Sequence, residues 1–273
     1  MTPGRRYGLY AAVVVVVGVL VFPVYWMFNT SLAPQNQLYV YPPTFVHPHA
    51  TLAAYTKILH ERPIGRWLLN SLVVVLLSGA YSLGVGVLAG YSLSRFRTRG
   101  AGTLGHLLLA SRMLPTTLLV IPLFVAMSTV HLINSLWSVV IANVTFIMPF
   151  ATWMLKGYFD SIPRELDEAA YIDGSSRLGA LVRVVLPLAA PGLAATALYS
   201  TILAWDEYLF ARTFLTTAST WTISVGLGSF RGEYVTYWNE VMAASLIGTL
   251  PIILIFLVLE RQLIQGLTAG AVK

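Results

Sequence analysis

Apolar residues fall along this chain in six long runs separated by polar segments. The runs cover about residues 7–28, 67–91, 104–127, 136–155, 188–210 and 241–263. Crossing the hydrocarbon core of a bilayer takes about 20 residues of helix, so each run is long enough. In lipid every backbone N–H and C=O must be paired internally, and each run therefore predicts a helix. A barrel would need segments of about ten residues with alternating polarity. No such alternation occurs. The pattern predicts an all-α membrane protein, with one transmembrane domain over 1–273 and a polar loop at 156–187 between the fourth and fifth spans.

Three features refine this picture. The first run follows Arg5-Arg6, as a secretory signal would. Its apolar stretch is too long for one and lacks a clear small-residue cleavage site, so it reads as a retained span. Small residues crowd the second run (Ser78, Gly79, Ser82, Gly84, Gly86, Ala89, Gly90). In lipid, small residues let helices approach closely, which predicts that this helix packs inside the bundle. Trp67, Tyr91, Trp137 and Trp153 sit near predicted ends, as interfacial aromatics do.

Composition agrees. Hydrophobic residues make up 57% of the chain and charged residues 10%, against about 25% charged in soluble domains. The net charge of +6 matters through its placement. If the N-terminus is cytoplasmic, that side receives eleven of the 17 Lys and Arg residues and the other side five, with Arg112 inside the third span. The bias predicts both termini in the cytoplasm. The basic residues are thus topology signals, and no aromatic-interleaved nucleic-acid module accompanies them. The absence of cysteine excludes disulfides, thiolate metal sites and cysteine nucleophiles. The loop at 29–66 carries Tyr41-Pro42-Pro43 and His47-Pro48-His49, then a predicted helix at 51–59. Two histidines without a third ligand do not make a metal site, so none is expected.

The polar loop reads Glu168-Ala169-Ala170-Tyr171-Ile172-Asp173-Gly174, followed by Val184-Val185-Leu186-Pro187. Ser161-Ile162-Pro163 can start a helix. Glu165, Asp167 and Glu168 then suit the positive end of its dipole. Leu166, Ala169 and Ala170 share a face, on which another protein could rest closely. Gly174 can end the helix in a left-handed conformation, and Ser175 can cap a second helix over 176–186. Physics alone leaves two readings, an interfacial hairpin or a docking surface.

The spacing of this loop resembles the EAA loop of bacterial ABC importer permeases. Other segments narrow the resemblance: Asn70-Ser71-Leu72, Leu88-Ala89-Gly90-Tyr91-Ser92, Met113-Leu114-Pro115, Pro149-Phe150, Trp205-Asp206-Glu207-Tyr208-Leu209-Phe210, and Gly266 to Lys273 at the C-terminus. Together they are similar to the carbohydrate importer permeases, the group of the maltose permease G subunit. Asp206 departs from the asparagine usual there. The resemblance implies a type I ABC importer permease fold in the bacterial cytoplasmic (inner) membrane. It implies that Glu168, Ala169, Ala170, Asp173 and Gly174 form the surface that couples to a separate ATP-binding subunit dimer, with the C-terminal tail nearby. It also implies a second permease subunit and an extracytoplasmic sugar-binding protein. ATP and Mg would be held by the partner subunit, and no cofactor is expected in this chain. No glycine-rich loop ending in Gly-Lys precedes Ser or Thr, so the chain lacks a nucleotide-binding P-loop. No catalytic triad or other catalytic residue is recognisable.

Polar residues within the runs are candidate cavity or substrate groups: Arg112, Asn143, Trp205, Asp206 and Glu207. A charge at the centre of a span costs about 2.5 kcal/mol or more, so Arg112 should face protein or water. It fits a cavity role or a structural pairing. Trp205 could stack on a sugar, with Asp206 and Glu207 beside it. The three also fit an interfacial anchor with solvated acids, the reading that aromatics gathered at span ends favour. Asn143 and Asn70 could bond between helices. An ion-gradient-driven secondary transporter is the alternative reading. Broken helices and inverted repeats mark that class, and Pro115, Pro122 and Pro149 could interrupt spans.

Overall fold

The computed structural model describes residues 3–96, 100–232 and 235–271. Arg97 and Arg99 of the basic loop, with Val272 and Lys273 of the tail, lie outside the described residues. The chain forms two compact units, Met1–Gly65 with Gly226–Leu250, and Arg66–Val225 with Pro251–Lys273.

Helices follow one another along the chain. The series opens with α1 (Pro3–Ser31), α2 (Ala53–Glu61), α3 (Ile64–Arg95), α4 (Ala101–Ser111), α5 (Thr116–Thr129) and α6 (Leu136–Asp160). Then come α7 (Glu165–Ile172), α8 (Arg177–Ala180), a π-helical turn at Leu181–Val185, α9 (Leu186–Leu188) and α10 (Ala190–Asp206). The last are α11 (Leu209–Phe214), α12 (Ile223–Gly228) and α13 (Trp238–Ala271). Among the described residues, four helical stretches are long and apolar enough to span alone: Arg5–Ser31, Ile64–Arg95, Leu136–Asp160 and Trp238–Glu260.

The third and fifth predicted spans are not continuous helices. The third breaks between α4 and α5 with a bend of 93°, and the fifth breaks at Ala189 with a bend of 81°. Pro115 explains the first break. It has no N–H to continue the ladder and disfavours helical geometry in the residue before it. Pro122 and Pro149 are absorbed within α5 and α6. The fifth span also stops at Asp206 rather than 210, because Glu207 turns extended (ψ 118°) before α11 begins.

In the first unit, the long loop folds on the start of α13. Lys57 Nζ meets Glu240 at 2.7 Å, Tyr39 OH donates to Thr236 O (2.6 Å), and Asn239 donates to Ala33 O (3.2 Å). The hydrogen bond with Glu240 raises the pKa of Lys57. His47 bonds Thr44 and Gln37.

In the second unit, α3 carries Ser78, Ser82, Gly86 and Gly90, spaced by four so that they share one face. A Cβ on Gly90 would meet Lys156 N and Thr152 O at 3.0 Å, and one on Gly86 Leu155 Cδ1 at 3.3 Å and the backbone of Ala151 and Thr152 at 3.4 Å. The glycines therefore seat α3 directly on the α6 backbone. Gly79 and Gly84, by contrast, face open space. Two apolar clusters close the unit. One gathers Tyr91, Leu155, Phe159, Leu181 and Val185. The other gathers Val74, Val139, Phe210, Phe214 and Leu215. Phe214, Leu215 and Val225, which lie between the fifth and sixth apolar runs, thus contribute buried core. Two expected interfacial aromatics are buried as well. Trp67 donates to Ala218 O (2.8 Å), and Tyr91 lies in the first cluster; Trp137 and Trp153 stay exposed.

Candidate functional site

The polar loop folds as a closed hairpin. Asp173 caps α7 and Gly174 follows at φ +84°. Gly174 N donates to Tyr171 O (3.1 Å) and Ser175 N to Ala170 O (2.9 Å). This is a Schellman ending, which needs the left-handed residue that glycine supplies cheaply. The second helix starts one residue later than its sequence suggests. Ser176, not Ser175, is the cap, and its Oγ accepts from Gly179 N (3.1 Å). Serine at that position satisfies one of the orphan N–H groups of the first turn.

The expected docking residues divide. Glu168, Ala169, Asp173 and Gly174 are exposed, while Ala170 is buried in the chain's own core. The shared alanine face is therefore split, because α7 spends its Ala170 side on its own fold. Apolar area on the open side comes instead from Ile172, 87% exposed, with Leu166, Leu178 and Val182.

Sequence reasoning missed Asp167. It is 3% exposed, accepts from Tyr91 OH through Oδ1 (2.6 Å) and meets Arg95 Nε through Oδ2 (2.9 Å). The acid-rich first turn of α7 hid it among dipole-favoured acids, and Arg95 among topology charges. The one sequence signal was the placing of Asp167 three residues before Ala170, on the inward face.

A second site lies between α4, α5, α6, α10 and α11. It is a cavity of about 460 Å³ lined by Arg112, Thr116, Asn143, Asp206, Glu207 and apolar neighbours including Phe146 and Phe210. Four of the five expected cavity residues meet there. Trp205 does not line it. That ring is 8% exposed and packs in the core. Arg112 closes α4 at the bend and donates to Phe146 O (2.7 Å) and Tyr199 OH. Its guanidinium lies 5.6 Å from the Phe150 ring centre. A residue at a helix break can meet a neighbouring carbonyl that a straight helix would keep out of reach.

The adjacent acids play different parts. Glu207 accepts from Phe210 N (2.6 Å) and Ala211 N (2.9 Å). It caps α11 with both oxygens and is not a solvated acid. Asp206 is exposed, and no hydrogen bond or ion pair engages it among the described residues. Asn143 is 3% exposed, and its Nδ2 has no hydrogen-bond partner among the described residues. A buried amide left unpaired costs about 1–3 kcal/mol, which water or a polar solute in the cavity would relieve. Asn70 does not bridge helices. It ties the 219–221 segment through Ser219 O (3.0 Å) and Trp221 O (2.9 Å).

This division makes a prediction. Glu207→Ala is expected to destabilise the chain by about 0.5–2 kcal/mol through loss of the cap. Asp206→Ala is expected to leave stability within about 0.5 kcal/mol. Thermal unfolding in detergent checks both, and equal losses would mean that Asp206 is also structural. Among the described residues no three His, Asp or Glu side chains could hold a metal.

Comparison with known proteins gives concordant matches. A family model described as "binding-protein-dependent transport system inner membrane component" matches residues 82–268. A sulfoquinovosyl glycerol transport system permease of Agrobacterium fabrum is 36% identical over 99% of this chain and 94% of its own. A trehalose/maltose transport system permease of Thermococcus litoralis is 32% identical over 98% of this chain and 97% of its own. Among solved structures, a bacterial ABC transporter that imports the acidic polysaccharide alginate matches with TM-score 0.78 at 22% identity, covering 96% of this chain and 98% of that chain. That likeness speaks to the fold.

Proposed function

The chain belongs to the family of binding-protein-dependent transport system inner membrane components, and from that premise we propose that it is one of two permease subunits of an ATP-driven sugar importer. The observation that carries this reading is the hairpin of α7 and α8. Gly174 and Ser176 fix its shape, and it presents Glu168, Ala169, Ile172 and Asp173 on an open face. A dimer of ATP-binding subunits, holding the ATP and Mg, docks on that face. A second permease completes the path, and an extracytoplasmic binding protein delivers the solute. Six spans, two of them bent, with both termini cytoplasmic, put the hairpin on the same side as the ATPase. The positive-inside bias supports that orientation.

The sugar class rests on relatives named for carbohydrate cargo. The cavity suits it. Asp206 offers a free carboxylate to hydroxyl groups, the Asn143 amide a free donor, and Arg112 a fixed cation. Hydroxylated solutes supply both donors and acceptors, which such a set needs.

Mild-detergent pull-down of the tagged chain from its native membrane, with mass spectrometry, tests the assembly. An ABC ATP-binding subunit and a second permease are the expected companions. Recovery of the chain alone after crosslinking, with uptake abolished by a protonophore while ATP persists, overturns the reading in favour of an ion-gradient-driven transporter.

A further inference from the structure

We propose that Asp167, Arg95 and Tyr91 form the joint through which movement of α7 reaches α3 and α6, so that Asp167 is a positioning residue for coupling rather than part of the docking face. The proposal rests on the reading that an ATPase docks on α7.

Each member of the set ties different elements together. Asp167 lies in the first turn of α7, Tyr91 and Arg95 in the last turns of α3. Besides meeting Asp167, the Arg95 guanidinium donates to Phe159 O (2.9 Å) and Ile162 O (3.1 Å), at and just beyond the end of α6. A cation is favoured there by the helix dipole. Tyr91 donates to Asp167 and its oxygen lies 3.2 Å from Tyr171 OH, so it holds both the first and last turns of α7. Its ring packs edge-on against Phe159. Arg164, just before α7, donates to Ser94 O (2.6 Å). The inward side of α7 is therefore held at both ends, while its other side stays open.

The chemistry of the joint argues for a role beyond stability. Burying an ion pair is costly, and well-packed apolar residues often serve stability as well or better. What a charged set adds is direction. An apolar contact tolerates sliding, whereas the planar fork of Arg95 admits its carboxylate and two carbonyls in one geometry. A push on α7 then displaces the end of α3 instead of being lost at the interface. From there α3 rides on α6 through Gly90, whose Cβ position lies 3.0 Å from the α6 backbone, and through Gly86, against the buried Leu155 side chain and the backbone beside it, which leaves little slack to absorb the motion.

The chain has no cysteine, so a single reporter is unique within it, and the complex carrying the unsubstituted chain, labelled in parallel, is the blank. An environment-sensitive fluorophore is attached at Glu165→Cys, at the start of α7 and outside the residues of the docking face, or at Leu88→Cys on α3, both exposed. The native complex is purified through the tagged chain, and the response to vanadate-trapped ATP is measured. Without further substitution, both reporters are expected to respond. In Asp167→Asn the α7 response is expected to persist while the α3 response falls about tenfold, within the usual span of coupling between sites. Asp167→Glu is expected to restore most of the α3 response. A merely structural defect would weaken both reporters together. Tyr91→Phe removes the two hydrogen bonds of the hydroxyl, to Asp167 and to Tyr171, and no charge. It is expected to lower the α3 response alone, and it decides the matter should Asp167→Asn fail to assemble. An undiminished α3 response in the variants overturns the joint. An α7 reporter that never responds in the otherwise unsubstituted chain overturns the docking reading, and the joint falls with it.

Discussion

Gly174→Glu is expected to leave the chain in the membrane at normal level while abolishing ATP-driven uptake. Three properties of the position lead there. Its φ of +84° lies where L residues other than glycine are strained, at a cost of about 1–2 kcal/mol. A Cβ there meets nothing within 4 Å, so no core contact is disturbed and insertion is spared. The new carboxylate enters a surface that already holds Glu168 and Asp173. Relief of the strain would loosen the bonds from Gly174 and Ser175 that end α7. That reorients Ser176 and the second helix relative to the first, and spoils a surface that must fit a partner. A loss of about 1.4 kcal/mol in docking is tenfold in affinity, and strain, bulk and charge act together here. Immunoblots of membranes and the ATPase recovered per tagged chain provide the two readouts. Gly174→Asn, which tolerates the left-handed region better, is expected to retain more of the partner than Gly174→Glu. Full recovery and full uptake with Gly174→Glu would mean that the hairpin is not the docking surface.

The hairpin was legible because its determinants are local. A glycine after a short helix and serines before the next fix the turn through bonds only a few residues long. The straight spans were legible because hydropathy asks only whether a run is apolar. The same insensitivity hid the bends. The run 104–127 averages apolar across the break at Arg112–Pro115 despite the charge of Arg112, and of three prolines only Pro115 breaks a helix. Which proline wins depends on the neighbours that satisfy the freed backbone, and those are tertiary. Aromatics at span ends failed for a related reason. Trp67, Tyr91 and Trp205 occupy positions that suit either a lipid interface or a buried seat, and only the packing around them decides. Adjacent acids were harder still. Asp206 and Glu207 differ by one position, yet one lines the cavity in the open and the other caps α11. Asp167 was invisible for want of its partners, Tyr91 and Arg95, which lie more than 70 residues earlier.

Gly192→Ala should be among the most damaging single-methyl additions in the second unit. An ideal Cβ at position 192 would sit 2.3 Å from Tyr158 Cγ, and 2.5 and 2.6 Å from the two Cδ atoms. These are the body of the ring, not the free end of a flexible chain. Tyr158 belongs to α6, whose neighbours Leu155 and Phe159 are fully buried, so the helix cannot back away cheaply. Gly192 lies in the first turn of α10, just past the bend at Ala189. The bend brings α10 under the ring, and glycine lets it come that close. Over-packing of this kind costs about 1–3 kcal/mol. The expected result is a lower unfolding temperature in detergent and a reduced yield of folded chain. The cause is separable. In the Tyr158→Ala background the methyl has room, so the double variant should be more stable than the sum of single losses implies, by about 0.5–3 kcal/mol of interaction. Gly90→Ala is the contrast, because its Cβ meets the backbone of Thr152 and Lys156 and no side chain can be removed to admit it. Strict additivity of Gly192→Ala and Tyr158→Ala would show that the ring is not what the methyl strikes. The seat of α10 on α6 would then be set by the bend at Ala189 rather than by Gly192.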